Sequence, residues 1–197
     1  MNGLLVAIKS EIFVALRTFA SKLIVTAPAL VAATQLMLVK LTEAGQQTRD
    51  SILGGGSFEQ SVANNAYGFF VDGLITGLTM LGLLLVAQGA YSFSYDRDVG
   101  SIRHLLIRRV SRSSVLTAKL IHLHLLALLS VLLLLTTSYL LSGMLWEYGA
   151  IVEDGFELIS EQEIREEIGL GLRLALVPLP AAIALGLLIS VSTQSAT

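Results

Sequence analysis

The chain is 197 residues long, 54% hydrophobic and 14% charged, with a mean hydropathy of +0.74 and a formal net charge of −2. A soluble domain of this length does not carry that composition, so the sequence reads as an all-α integral membrane protein forming a single transmembrane domain over residues 1–197. Cysteine is absent, which excludes disulfide frameworks, thiolate metal sites and cysteine nucleophiles.

In chain order, residues 1–22 intersperse Leu4, Ala7, Ile8, Ala15 and Phe19 with Lys9, Glu11 and Arg17. The pattern lacks the uninterrupted apolar run and small-residue cleavage site of a secretory signal, and predicts an interfacial helix lying along a leaflet, with an extended, tilted start to the first span as the competing reading. Four apolar stretches follow, each measured against the roughly 20 residues that a helix needs to cross a bilayer. They are residues 23–41, 69–91, 120–146 and 170–191. The second carries Gly73, Gly77, Gly82 and Gly89, a spacing that lets helix backbones approach closely in lipid. The third is uncharged between Lys119 and Glu147, and Trp146 and Tyr148 stand where an aromatic belt would anchor its end. Pro178 and Pro180 are expected to kink or delay the fourth near its start.

The loops differ in charge. The N-terminal segment and the loop 92–119 together hold nine Lys and Arg residues, against four in the alternate loops 42–68 and 147–169 and their flanks. The excess places the N-terminus and the basic loop in the cytoplasm. Of the two outer loops, the first contains the hinge-like Gly54-Gly55-Gly56, which lacks the spacing and lysine of a phosphate-binding loop. The second contains eight carboxylates between Glu147 and Glu167, read as a solvated face. Within it Ser160 and Glu163 have the spacing of a capping box and predict a short amphipathic helix.

The basic loop has an internal order of its own. Gly100 permits a turn and Ser101 can cap a short helix in which Ile102, Leu105 and Leu106 share one face, edged by Arg103, His104, Arg108 and Arg109. Ser111, Arg112, Ser113 and Ser114 give a second turn-and-cap signal before the third span. A short amphipathic helix held between two turns suits insertion into a groove on a partner. For its arginines, plain positive-inside topology is the competing reading.

Among other polar residues, His122 and His124 are two apart and face different sides of a helix, so no metal site is expected from them. Asp72, near the outer end of the second span, suits either a substrate path or the headgroup level. Gln35, Gln88, Thr136, Thr137 and Ser138 are expected to bond between helices, with lining a pathway as the competing reading and Gln88 the one singled out for it.

The loop residues Asp96 or Asp98, Gly100, Ser101, Leu105, Leu106, Val110, Ser111, Arg112 and Lys119 follow a pattern that resembles the segment after the second span in permease subunits of ABC type-2 exporters. The resemblance extends to the N-terminal helix with Glu11, the outer loop before the second span and the span order. It departs at Arg109, where proline is common, and at Ser101, where threonine is common. It implies six spans, so a chain with four implies a C-terminally incomplete copy. It further implies that Gly100 to Arg112 is a coupling helix seated in a cytoplasmic ABC ATPase subunit, with Gly100, Ser101, Ile102, Arg103, Leu105, Leu106, Arg108, Arg109, Ser111 and Arg112 at that interface. By the same resemblance the chain sits in the plasma membrane, pairs with a second permease copy as a homodimer or heterodimer, and leaves ATP hydrolysis to its partner. No cofactor in this chain and no nucleic-acid partner are expected. The rival reading is a non-transporting membrane anchor or assembly subunit. No nucleophile, base and orienting group converge, so an enzyme is disfavoured.

Overall fold

A computed structural model describes residues 3–53, 65–98, 100, 111–153 and 156–192. The elements are α1 (Gly3–Arg17), α2 (Phe19–Leu53), α3 (Ala66–Asp98), α4 (Arg112–Leu145), β1 (Ile151–Glu153), β2 (Phe156–Ile159), α5 (Glu161–Leu176) and α6 (Pro178–Ser192). Four helical stretches among the described residues are long and apolar enough to cross a membrane: Phe19–Gln46, Ala66–Asp96, Ser113–Leu145 and Glu161–Ser192. The chain is therefore a predominantly helical, multi-pass membrane protein by length and composition.

Each stretch overlaps an expected span, but the helix ends lie elsewhere. The first helix ends at Arg17 and the second begins at Phe19, with Thr18 between them still donating to Val14 O in the helical manner through its N–H (3.0 Å) and also through its hydroxyl (2.7 Å). Beyond residue 41 the apolar run ends while α2 continues to Leu53, because LTEAGQQTRDSIL contains no proline to stop it. Ser160 and Glu163 form the expected capping box, with Ser160 N–H donating to Glu163 Oε2 at 3.0 Å and Glu163 N–H to Ser160 Oγ at 3.3 Å. The helix that it starts is not short, however. It runs through residue 170 as α5, and the break in the fourth stretch falls at Val177, before Pro178. Proline suits the first position of α6, where its missing N–H costs nothing. Also unforeseen is the antiparallel hairpin of β1 and β2, paired as Ile151 with Ile159, Val152 with Glu157 and Glu153 with Phe156.

The chain packs as two compact units: Met1–Ala27 with Thr79–Leu132 and Val177–Thr197, and Pro28–Leu78 with Leu133–Leu176. In the first, Ala7 of α1 is buried against Val115 and Ala118 of α4. There too α3 meets α6 backbone to backbone: a Cβ on Gly186 would stand 2.7 Å from Val86 O. Beside this contact Ser94 N–H donates to Ser190 Oγ at 3.0 Å, and Ser94 Oγ donates to Ser190 O at 3.1 Å. In the second unit Ala32, Phe70, Leu74 and Leu134 form a core onto which Ile168 and Leu172, four residues apart on α5, pack.

The glycines of α3 divide accordingly. Gly73 faces Leu36 and Ser138, Gly77 faces Leu134, and Gly89 faces Gly186, whereas Gly82 has nothing within 4 Å. The expected interhelical bonds of Gln35 and Ser138 are not formed: Gln35 Oε1 and the Ser138 hydroxyl are buried without a hydrogen-bond partner. Thr136 turns its hydroxyl to Leu133 O of its own helix at 2.9 Å.

Candidate functional site

On α4, Val115, Ala118, Lys119 and His122 fall at helical intervals that put them on one side, and burial of Val115 and Ala118 against Ala7 draws Lys119 inward. On α1, Glu11 lies one turn beyond Ala7 and Ile8, on the side that packs. The result is a buried ion cluster. Lys119 Nζ is 2.9 Å from Glu11 Oε1 and 2.5 Å from Asp96 Oδ2, and its side chain is only 4% exposed. Asp96 lies near the end of α3, so the cluster ties the N-terminal helix to the helices on both flanks of the basic loop. In this buried setting the ammonium and carboxylates attract one another more strongly than at the surface, and removal of one partner leaves the others buried without compensation.

Beside the cluster is a cavity of about 390 Å³ lined by Glu11, Gln88, Ser92, Tyr95, Asp96 and Lys119, with His122 also in its wall. The Ser92 hydroxyl there is buried without a hydrogen-bond partner. His124 is engaged elsewhere, its Nδ1 standing 2.8 Å from Leu120 O. The cavity thus takes in Gln88, one of the two residues singled out for a pathway. The other, Asp72, is exposed in the second unit and lines a different cavity with Tyr67 and Glu167.

Of the loop residues, Ser101, Ile102, Arg103, Leu105, Leu106, Arg108 and Arg109 lie outside the described residues, as does the Gly54 to Gly56 hinge. The loop's described edges agree with the sequence. Gly100 has φ of +78°, a left-handed conformation that favours glycine. Ser111 caps α4, its Oγ accepting from Ser114 N–H at 3.2 Å, and Arg112 opens the helix. Asp96, named in the loop pattern, reaches Lys119.

A second polar cluster occupies the second unit. Asn65 caps α3 by accepting from Tyr67 N–H at 3.0 Å, and its amide donates to Gly149 O at 2.6 Å. Tyr67 Oη donates to Glu161 Oε1 at 2.7 Å and accepts from Arg165 Nε at 2.7 Å, and Arg165 also pairs with Glu161. Because Arg165 and Glu161 are both well exposed, Tyr67→Phe is expected to cost only about 1 kcal/mol, read by thermal unfolding in detergent. Trp146 departs from its expected belt role. It is 6% exposed, stacked on Phe69 with ring centroids 3.9 Å apart, and donates from Nε1 to Glu43 Oε2 at 2.9 Å. Tyr148 bonds Ser142 Oγ and Tyr139 O, both at 2.7 Å, and burial raises its phenol above the ordinary value, which keeps the hydroxyl a donor.

The Glu11–Lys119–Asp96 cluster was only half visible in sequence. Each residue belongs to the loop pattern or its extension, but nothing local says that they meet. The Ser94–Ser190 pair was missed, since serines in apolar helices carry no directional signal. No curated protein and no solved structure matches the chain. A family model described as "Protein of unknown function (DUF2705)" matches residues 51–197, more than half of the chain, and the chain belongs to that family.

Proposed function

We propose that the chain is the membrane-spanning permease subunit of an ATP-driven transporter of the ABC type-2 exporter kind, working beside a second permease copy in the plasma membrane. Its N-terminus and basic loop face the cytoplasm, and Gly100 to Arg112 docks on a separate ATPase subunit. The chain itself hydrolyses nothing. The observation that carries the reading is the buried cluster of Glu11, Asp96 and Lys119, three residues of the resemblance pattern, which clamps α1 to both flanks of that loop. A clamp of this kind suits coupling. A displacement imposed on the loop passes to α3 through Asp96 and to α4 through Lys119 at once, rather than being absorbed by a slack hinge.

The test is co-purification with a cytoplasmic ABC ATPase subunit. Proline holds φ near about −65°, incompatible with the Gly100 conformation, so Gly100→Pro should disrupt the turn. Leu105→Asp puts a charge on the apolar face of the docking helix. Each is expected to reduce ATPase recovery by about tenfold or more. Retention of both binding and ATPase stimulation in the two variants sinks the assignment. An ATPase that binds the wild type but whose hydrolysis never responds to it points instead to the anchor role.

A further inference from the structure

Helices α3 and α5 of the second unit frame two cavities that the coupling account leaves unused. The first, of about 400 Å³, is apolar and is lined by Leu74, Ile75 and Leu78 of α3 and by Gly171, Leu172 and Ala175 of α5. The second, of about 420 Å³, takes in the polar residues Asn65, Tyr67 and Asp72. Val71, Glu167 and Ile168 line both, so the two adjoin as one groove. Each lies in the roughly 300–1,000 Å³ range of small-molecule sites.

The groove has a charged end and an apolar end. On α3 Asp72 precedes Leu74 to Leu78, and on α5 Glu167 precedes Ile168 to Ala175, so both carboxylates stand at one end of a groove ~10 Å long at about 1.5 Å per residue. Asp72 lies inside the apolar stretch Ala66–Asp96, where an ionisable side chain is costly unless it serves a purpose. Both carboxylates are exposed, and neither has a hydrogen bond or ion pair among the described residues. Arg165, the one cation in the segment 147–167, is held by Tyr67 Oη and Glu161. That segment holds eight carboxylates, whose field draws cations to the same end of the groove. Towards the other end Gly171 leaves open space, since a Cβ there would meet nothing within 4 Å.

The charge selects among occupants. A second copy related by an axis along the membrane normal sets its own Asp72 and Glu167 at the same depth as their counterparts, a like-charge contact. A phospholipid brings its phosphate to the two carboxylates. A divalent metal ion takes roughly six oxygen ligands, and no group of three or more side chains able to hold one occurs among the described residues. We propose that the groove binds an amphiphilic cation, its positive head at Asp72 and Glu167 and its hydrocarbon portion on Leu74, Leu78 and Leu172. Binding of this kind stands whether or not the loop docks an ATPase.

The test uses the full chain in phosphatidylcholine nanodiscs, photolysed with a diazirine-bearing alkylammonium and mapped by peptide mass spectrometry. Label is expected within residues 71–78 and 168–175. Unlabelled alkylammonium should suppress it about tenfold better than the alcohol or the sulfate of the same chain length. Asp72→Asn combined with Glu167→Gln should lower the labelling about tenfold, the scale of two lost exposed ion pairs, and leave labelling by a diazirine-bearing alcohol unchanged. Gly171→Leu fills the groove from its open side, suits a helix better than glycine and should suppress both labels. The proposal is overturned if folded forms of these variants label like the wild type, or if the alcohol competes as well as the cation. It is also overturned if Gly171→Cys gives a disulfide-linked dimer at high yield, which would put a second copy in the groove.

Discussion

Lys119→Met is expected to destabilise the protein by roughly 3–5 kcal/mol, the effect of removing one partner from a buried ion pair. Methionine reproduces the lysine side chain as far as Cε and lacks the ammonium, so packing changes little and the loss is mainly electrostatic. Two carboxylates, Glu11 and Asp96, are left facing each other's field with side chains only 15% and 23% exposed. Glu11→Gln should cost less, because Lys119 keeps Asp96. The single changes should also be far from additive, since Glu11→Gln removes from the Lys119→Met background a carboxylate that has already lost its partner. Thermal unfolding in detergent measures all of these, and a Lys119→Met protein as stable as wild type would show that the cluster is not a clamp.

Gly186→Val is expected to have the second large effect. Its Cβ would stand 2.7 Å from Val86 O and 3.1 Å from Gly89 Cα, and both are backbone atoms that no rotamer change can move. α3 and α6 must separate, with an overpacking cost of about 1–3 kcal/mol. The Ser94–Ser190 bonds, one turn further along α6, are stretched by the same movement, at about 0.5–1.5 kcal/mol each. Two contrasts isolate the cause. Gly82→Ala meets nothing within 4 Å and should be neutral or slightly stabilising. Gly77→Ala meets only a side chain, that of Leu134, but one buried in the core, so it should cost less than Gly186→Val and more than Gly82→Ala. Equal losses at Gly186, Gly82 and Gly77 would show that close approach of the backbones does not single out Gly186.

What could be read in advance followed the range of the underlying forces. The spans were legible because a bilayer imposes a length that hydropathy measures directly, and the Ser160 capping box was legible because its partners are three residues apart. Helix ends were not, since the apolar run of α2 stops near Leu41 while nothing in the next twelve residues forbids helix. The hairpin at Ile151 to Ile159 is too short for alternation to stand out among carboxylates. Trp146 was misread because an aromatic residue at a span's end looks the same whether it meets lipid or, as here, Phe69 and Glu43. The ion cluster shows the same limit more sharply. Glu11, Asp96 and Lys119 were each identified, yet their meeting depends on how α1 packs against α4, a tertiary fact that no spacing encodes.

The central claim is that the segment around Leu105 faces the cytoplasm and touches an ATPase subunit. Because the chain has no cysteine, Leu105→Cys gives a single reactive site, and a short bifunctional cross-linker can be aimed from it in intact membranes. The account predicts a cross-linked product containing the ATPase and protection of that cysteine from membrane-impermeant thiol reagents added outside. Labelling from the outside, or a cysteine that never captures the ATPase while the two co-purify, would contradict it.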